Sequence, residues 1–528
     1  MSYHLVAQTT DLKINQKKCV FAGNKKLVLI RLEDGYYAVE NTCPHKHGQL
    51  CDGKLDSQKG EIVCGLHGWN FDVKTGISPY DPNNSNDVIS TFKVKIEGDN
   101  IFAFVDDDQK SVEIKEYLGE WKRPHDETED RMETIHKMAK GWISANGEID
   151  PMRTEKQNPL WDEIVFLPRQ LASFPLFDDA EVSLKTVIGK TAKRPIVIDV
   201  PVFVSHMSFG ALSPEAKEAL ARGSAAAGTM ICSGEGGMLP AERMHASTYI
   251  FEMASGYFGW NEENIAKADA IEIKIGQAAK AGMGGVLPIK KITPEIQKVR
   301  NVPKGKDAIS PSHFRDIHTV EDLKKRVEEI RTMTDGKPVG IKFAASRIEE
   351  DLEAALICNP DFITIDGRGG ATGAAPKHVK DNIGIPTLYA LDRVMRYLEN
   401  KGVTIDVLVT GGLRTPDDFA KAIAMGATAV ASASATMMAI GCQQYRACHT
   451  NKCPVGIATQ DLYYRGRFNI NKSAKMLTNF FNSTKYQLRD FARINGHANI
   501  HDLSLADIAT VNEEIAKYTR IKHVGESV

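Results

Sequence analysis

Residues 405–434 read IDVLVTGGLRTPDDFAKAIAMGATAVASAS. An apolar run stops at Gly411-Gly412, a Thr-Pro-Asp-Asp start signal opens a helix-length stretch, and a second apolar run follows Gly426. Strand, glycine turn, capped helix and strand in succession make one parallel βαβ crossover. The same alternation extends upstream. Apolar runs PVFVSHMSF, PVGIKFA and DFITIDG end in small residues, and helical stretches such as SPEAKEALARGSAAAG, TVEDLKKRVEEIRTMT and ALDRVMRYLENKG separate them. Residues 195–470 are enough for a (β/α)8 barrel, and an α/β barrel is the predicted main domain.

The flanks differ in character. Residues 1–107 carry short strand-like runs (KKLVLIRL, YYAVEN, TFKVKI) punctuated by Gly, Asp and Asn, which predicts a small antiparallel β domain. Residues 108–194 are read as a mainly helical connecting segment leading into the barrel, its charge run being a solvated face. Residues 471–528 are read as helices packed outside the barrel.

At 528 residues the chain is expected to hold more than one domain. A net charge of −2 gives no global pull toward nucleic acid or anionic membrane. The N-terminus lacks the apolar core of a signal peptide, and no long uninterrupted apolar run predicts a membrane span; a cytoplasmic setting is expected. Nine cysteines do not suggest a disulfide scaffold, because seven fall in or near two tight groups, a pattern of metal ligation.

In the first group, NTCPHKHGQLCDGK and GEIVCGLHGWNFD give Cys43-x-His45 and Cys64-x-x-His67. Two loops, each offering one thiolate and one imidazole, suit a 2Fe–2S centre with both sulfurs on one iron and both histidines on the other. A structural zinc site is the rival reading. The flanking HGWNFD and KTG resemble the Rieske family, of the soluble ferredoxin and oxygenase type. That resemblance leaves His47 a bystander and Cys51 without a partner in the motif. An oxygenase would also need two histidines and a carboxylate on a mononuclear iron; His313, Asp316 and His318 are a poor match, and His136 and His449 stand alone.

The second group, AIGCQQYRACHTNKCPVGIATQ, places Cys442, Cys448 and Cys453 close together, poor for a disulfide and good for an iron–sulfur cluster. The stretch resembles the 3Fe–4S signature of the glutamate synthase flavin domain, although a four-iron cluster with a non-protein ligand fits the same residues. Cys232 and Cys358, away from both groups, are read as buried small apolar residues.

The resemblance to glutamate synthase runs from about residue 195 to 470 and includes SHMSFGALSPEA, SGEGGMLPAER, IEIKIGQAAKAGMGGVLP, DGRGGATGAAP and LVTGGLRTPDDFAKAIAMGA. It implies FMN, with Gly411, Gly412 and the AVASAS junction at Ser432 forming a late-strand phosphate site. Ser208 is implied as a further flavin contact. Lys342 would lie at the flavin pyrimidine edge, and Asp366, Gly369 and Gly370 would pass over the pyrimidine or ribityl part. Gln277, Lys280 and Arg300 are implied as carboxylate-binding residues, and Glu235 and Lys280 as catalytic ones. Val286 stands where the family usually has Gln, and Met283 where an acidic residue is common, so a different or larger acceptor than 2-oxoglutarate is expected.

No glutaminase or nicotinamide domain is recognised; GRGGATG at 367–373 has the wrong spacing for a dinucleotide loop. The resulting expectation is a reductive enzyme acting on an imine-like derivative of a small 2-oxo acid. Electrons would pass from ferredoxin or a reductase through the Rieske and 3Fe–4S clusters to FMN. A separate amidotransferase subunit and a homo-oligomeric state are further expectations. The alternatives are a Rieske oxygenase and a non-catalytic redox protein.

Overall fold

The computed structural model describes residues 2–45, 47–66, 68–79, 88–105, 135, 138, 149–156 and 158–526. Its contacts divide the chain into two compact units, 1–133 and 134–528.

The first unit is an antiparallel β domain. Its strands are β1 (Ser2–Gln8), β2 (Gln16–Ala22), β3 (Lys25–Leu32), β4 (Gly35–Glu40) and β5 (Lys54–Asp56). They continue with β6 (Glu61–Val63), β7 (Asn70–Asp72), β8 (Thr91–Phe92), β9 (Val94–Glu97) and β10 (Asn100–Val105). Three sheets form, in orders β1-β10-β9, β2-β3-β4-β8 and β5-β6-β7. Strand β3 explains why KKLVLIRL is apolar without alternation. Leu27 and Leu29 enter the core shared with β1 and β10, while Val28 and Ile30 enter the core around Cys43 and Cys64. A strand buried on both faces has no solvent face to keep polar.

The second unit opens with β11 (Ile164–Phe166) and the hairpin of β12 (Thr186–Ile188) and β13 (Ile196–Ile198). Then come β14 (Val202–Val204), β15 (Met230–Cys232), β16 (Thr248–Met253) and β17 (Ala270–Lys274). A short hairpin, β18 (Val286–Leu287) with β19 (Ala308–Ile309), interrupts the alternation. The series resumes with β20 (Val339–Ala344), β21 (Phe362–Asp366), β22 (Asp406–Thr410) and β23 (Ala429–Ser432). Strands β14-β15-β16-β17-β20-β21-β22-β23 close into an eight-stranded parallel barrel. The predicted barrel and small β domain are both present.

Strand parity divides the barrel into layers. Phe203, Cys232, Ile250, Ala270, Phe362, Leu408 and Ala431 point to the axis, where Ile188, Ile196 and Ile198 of the β12–β13 hairpin join them and fill the floor. The opposite parity, including Ile271, Ile341, Ile363, Val407 and Val430, packs against the surrounding helices. The floor is apolar and filled, so any chemistry is confined to the far, C-terminal mouth.

The flanks show two differences from expectation. Between 149 and 194 the described residues hold short strands and no α-helix; Ile135 and Met138 are helical, and the rest of 106–148 lies outside the described residues. The C-terminal part carries the helix Ile470–Ile494, with Leu477, Phe481, Leu488 and Ala492 buried along one stripe, capped by Asn469. It also carries a strand, β24 (Ile508–Thr510), which pairs antiparallel with β11 and so ties the lead-in segment to the end of the chain. Pairing partners more than 300 residues apart leave no local signal, and each strand is only three residues long.

Candidate active site

A cavity of about 350 Å3 occupies the C-terminal mouth of the barrel. Two residues above five of the inward floor residues (Phe203, Ile250, Ala270, Phe362 and Leu408) stands a polar one: Ser205, Glu252, Glu272, Thr364 and Thr410. Lys274, Lys342 and Asp366 continue the same parity and line the cavity. The β17–β20 connection, which holds the β18–β19 hairpin, adds Gln277, Lys280, Met283, Val286, Lys291, Arg300 and Ser310 to the wall.

The polar groups form one charge network. Lys274 Nζ donates to Glu235 Oε2 at 2.9 Å and to Gln277 Oε1 at 2.7 Å, and lies 3.8 Å from Glu252 Oε1. Lys342 Nζ lies 3.4 Å from the other Glu252 oxygen. Burial alone would raise the Glu235 carboxyl, but the charges of Lys274, Lys280 and Arg300 hold it well below the usual range. Burial pushes the Lys280 ammonium down, and Glu235 opposes that. For Lys342, burial is outweighed by Glu252, Asp366 and Glu272, so the cation is held well above the ordinary lysine range. Arg300 is buried and gives Nε and Nη2 to the Phe209 carbonyl, at 3.1 and 2.5 Å. Only part of its guanidinium fork is therefore left for a ligand.

Asp366 accepts from the Ala278 amide at 3.1 Å, while its other oxygen is buried without a hydrogen-bond partner among the described residues. Burial raises this carboxyl despite Lys342. Beside it three glycines bring two loops together. Gly369, Gly411 and Gly412 have φ of +120°, +123° and +97°. A Cβ on Gly411 would sit 2.3 Å from Thr387 Oγ1, and one on Gly369 would sit 2.7 Å from the Gly411 carbonyl. Only glycine permits both the backbone angle and the approach. Ser208 and Gly370 line the cavity. Ser432 does not: it shares parity with Val430, and its hydroxyl donates to the Leu413 carbonyl at 3.4 Å.

Cys442, Cys448 and Cys453 line one small pocket of about 20 Å3. Met152, Met437, Cys448 and Ala458 belong to its wall and to that of the large cavity, so the two spaces are adjacent. Cys448 Sγ lies 3.7 Å from Met152 Sδ.

In the first unit, Cys43 and Cys64 are fully buried on loops of the same construction. The amide of His47 donates to the Cys43 carbonyl, and the amide of Gly68 donates to the Cys64 carbonyl. The loops touch, since a Cβ on Gly48 would meet Cys64 Sγ at 2.9 Å. The His45 ring stacks on Trp69 at 5.0 Å. His67 lies outside the described residues. Cys51, which has no partner in the motif, is joined to Cys19 of β2 (Cα–Cα 5.7 Å). The partner lies 32 residues upstream in a strand, while Cys51 sits in the 3-10 turn Leu50–Asp52, beyond the reach of motif spacing.

Several residues in the site escaped the sequence reading. Lys274, Glu252, Glu272, His206, Lys291 and Ser310 are all inward or cavity-facing. His206 Nε2 lies 2.5 Å from Glu272 Oε2. The available signal was charge inside apolar strands: YIFEM and AIEIK carry carboxylates and lysine where a buried strand should carry none. The oxygenase triad is not assembled among the described residues; Asp316 is held by the Tyr257 hydroxyl and by Arg326. Cys232 and Cys358 are buried as expected.

A parallel barrel with a charged mouth, adjoined by a three-cysteine pocket and preceded by a two-loop Cys/His domain, defines an iron–sulfur oxidoreductase of the barrel class. Residues 132–498 match the family described as "Conserved region in glutamate synthase", and residues 2–105 match the Rieske [2Fe-2S] domain. The chain belongs to the glutamate synthase family and carries an N-terminal Rieske domain.

An archaeal glutamate synthase [NADPH] of Methanocaldococcus jannaschii is 33% identical, over 79% of this chain and 88% of that protein. A glutamate synthase large subunit-like protein of Rhizobium meliloti is 33% identical, over 71% of this chain and 89% of its own length. Among solved structures, a lactate oxidase of Pediococcus acidilactici aligns with 17% identity and a TM-score of 0.44, covering 67% of this chain and 84% of that one. No helix among the described residues is long and apolar enough to cross a membrane.

Proposed function

We propose that this chain is an FMN-dependent reductase of the glutamate synthase type, forming a glutamate-like amino acid by reducing an imine derived from a small 2-oxo acid. The observation that carries the reading is the cavity itself. One polar wall offers three cations and a carboxylate held ionised, Gly370 and Thr410 line the cavity next to the close-packed glycine turns, and a three-cysteine pocket adjoins it.

The residues suit FMN on two counts. Gly369, Gly411 and Gly412 let the loops after β21 and β22 pack backbone against backbone beside the cavity residues Gly370 and Thr410, where their amides would be offered to a phosphate. The orphaned Asp366 oxygen offers an acceptor to a ring N–H or ribityl hydroxyl, and Lys342 offers a buried cation. Bound there, FMN supplies the hydride.

The protein's own groups account for the rest. Lys280 and the free edge of Arg300 would hold one carboxylate of the substrate, with Gln277 beside them. Glu235, linked to Lys274, would accept a hydrogen bond from the protonated imine nitrogen and orient it. The filled apolar floor excludes water from below.

Cys442, Cys448 and Cys453 are proposed to hold a 3Fe–4S cluster, and Cys43, His45, Cys64 and His67 the Rieske centre, with ferredoxin or a reductase as donor. The domain limits proposed are 1–107 for the Rieske domain, 108–194 for the lead-in, 195–470 for the barrel and 471–528 for the C-terminal extension. A cytoplasmic homo-oligomer, with a separate amidotransferase subunit as nitrogen source, completes the proposal.

An N-substituted product is a second reading favoured by one observation. Met283 and Val286 stand partly exposed in the cavity wall, an apolar lip beside Glu235 and Lys280. An alkylamine-derived imine would lay its substituent there. The test is anaerobic. Dithionite-reduced holoenzyme is mixed with 2-oxo acids paired with ammonia or alkylamines, and reoxidation at the flavin absorbance is followed with mass analysis of products. Absence of an amino-acid product from every pair sinks the proposal.

A further inference from the structure

Lys291 closes the short 3-10 turn Ile289–Lys291 that follows β18, and it is only 4% exposed. Its Nζ donates to the carbonyls of Cys448 at 3.0 Å and of Ala458 at 3.4 Å. Both carbonyls belong to the loop that lines the three-cysteine pocket, and Cys448 and Ala458 form part of the wall between that pocket and the large cavity. Among the described residues no carboxylate pairs with Lys291, whereas the buried Lys217, Lys342, Lys380 and Lys421 each have one; Lys280, also without an ion pair, lies beside the Glu235 charge. Besides the cysteines, the charged side chains that act on Lys291 most strongly, Arg300 and Lys290, are also cations.

A buried ammonium satisfied only by carbonyl dipoles keeps most of its desolvation cost unless a full negative charge lies close. Among the described residues no carboxylate supplies that anion, and nearby Lys290 and Arg300 add positive charge. The cysteines beside this lysine, Cys448 and Cys453, are the groups among the described residues that would carry negative charge, as thiolates on a cluster.

We propose that Lys291 is the counter-charge of the three-cysteine cluster, a positioning residue that makes the cluster easier to reduce. The inference rests on the reading of Cys442, Cys448 and Cys453 as cluster ligands. Reduction adds one electron and breaks no bond, so the cluster's negative charge grows by one; an adjacent fixed cation favours that state. The two carbonyl contacts pin the ammonium to the loop that carries Cys448, so its distance to the cluster does not depend on a flexible side chain in water.

The test uses purified full-length holoprotein and EPR-monitored titration with dithionite. Lys291→Gln keeps a donor for the two carbonyls and removes only the charge; Lys291→Arg restores it; Lys290→Met removes an exposed neighbouring cation. The expected result is a tenfold or greater loss in the one-electron reduction equilibrium of the three-iron signal in Lys291→Gln, about 59 mV. Iron content would be unchanged, Lys291→Arg near the parent value, and Lys290→Met shifted by much less. An unchanged cluster potential in Lys291→Gln overturns the inference, as does loss of FMN with the cluster potential unmoved, which would make the flavin phosphate the counter-ion. If Lys291→Gln does not fold, Lys291→Met and Lys291→Arg decide it by the same readout. A parent protein without a three-iron signal and with iron for one cluster only removes the cluster reading as well, a result seen before any variant is made.

Discussion

The Lys274 ammonium donates to the Glu235 carboxylate at 2.9 Å across the mouth of the barrel. Lys274 ends the fourth barrel strand, and Glu235 sits in the loop after the second, so the contact exists only once the barrel has closed. It fixes an acid–base group among three cations, and the first prediction follows from that neighbourhood.

Glu235→Gln removes the one anion that opposes burial at Lys280. Burial already lowers the Lys280 pKa from its ordinary 10.5, so losing Glu235 lowers it further. Binding of an acidic substrate needs Lys280 charged, so the basic limb of the kcat/KM profile should move to lower pH. Turnover itself should fall by about 10²- to 10⁴-fold. A basic limb that stays in place would detach Lys280 from substrate binding.

The same carboxyl makes a stability prediction. Its folded pKa lies below the ordinary 4.5, so the unfolded chain binds the extra proton in acid. Glu235 therefore contributes stability above about pH 4.5 that is lost as pH falls through its folded value. Urea unfolding midpoints measured from pH 7 down to 3 should drop less steeply in Glu235→Gln than in the parent.

Gly411→Ala puts a Cβ on a residue at φ +123°, 2.3 Å from Thr387 Oγ1 and 2.4 Å from the Gly367 carbonyl. The cost should be about 1–3 kcal/mol of folding stability, read from denaturant unfolding. FMN should be retained less well after gel filtration. Full stability with full flavin content would contradict the cradle.

Cys43→Ser should abolish the Rieske signal. Turnover with a reduced protein donor should fall to background, while turnover with dithionite is retained. Equal loss with both donors would point to a folding defect instead of a broken electron path.

Val286→Gln replaces part of the apolar lip with an amide. One lost apolar contact is worth about 1–3 kcal/mol, so preference for an alkylamine over ammonia should fall roughly tenfold, read as a ratio of kcat/KM values. A preference that does not move would leave Val286 without a part in selecting the substrate.

Much of this was legible in one dimension. The barrel announces itself because each strand is buried on both faces, so apolar runs are continuous and the glycine turns between them are local. Both cysteine groups announce themselves because their ligands come from short loops: Cys442, Cys448 and Cys453 are within one turn-rich stretch, and Cys43 and Cys64 each carry a histidine close by. The glycines at 411 and 412 are readable for the same reason, since a positive φ is a property of the single residue.

What the tertiary structure alone decided is which charges meet. Glu252, Glu272, Lys274 and Lys342 come from three strands, and closure of the sheet brings them together as inward neighbours. Lys291 and Cys448 are 157 residues apart, as are no residues that a local motif could join. Cys19 and Cys51 pair across 32 residues, and β11 and β24 across more than 300. The sequence by itself determines local conformation and which faces seek burial, because those depend on a residue and its near neighbours. Electrostatic partnership depends on distance through space, and only the folded chain sets that distance.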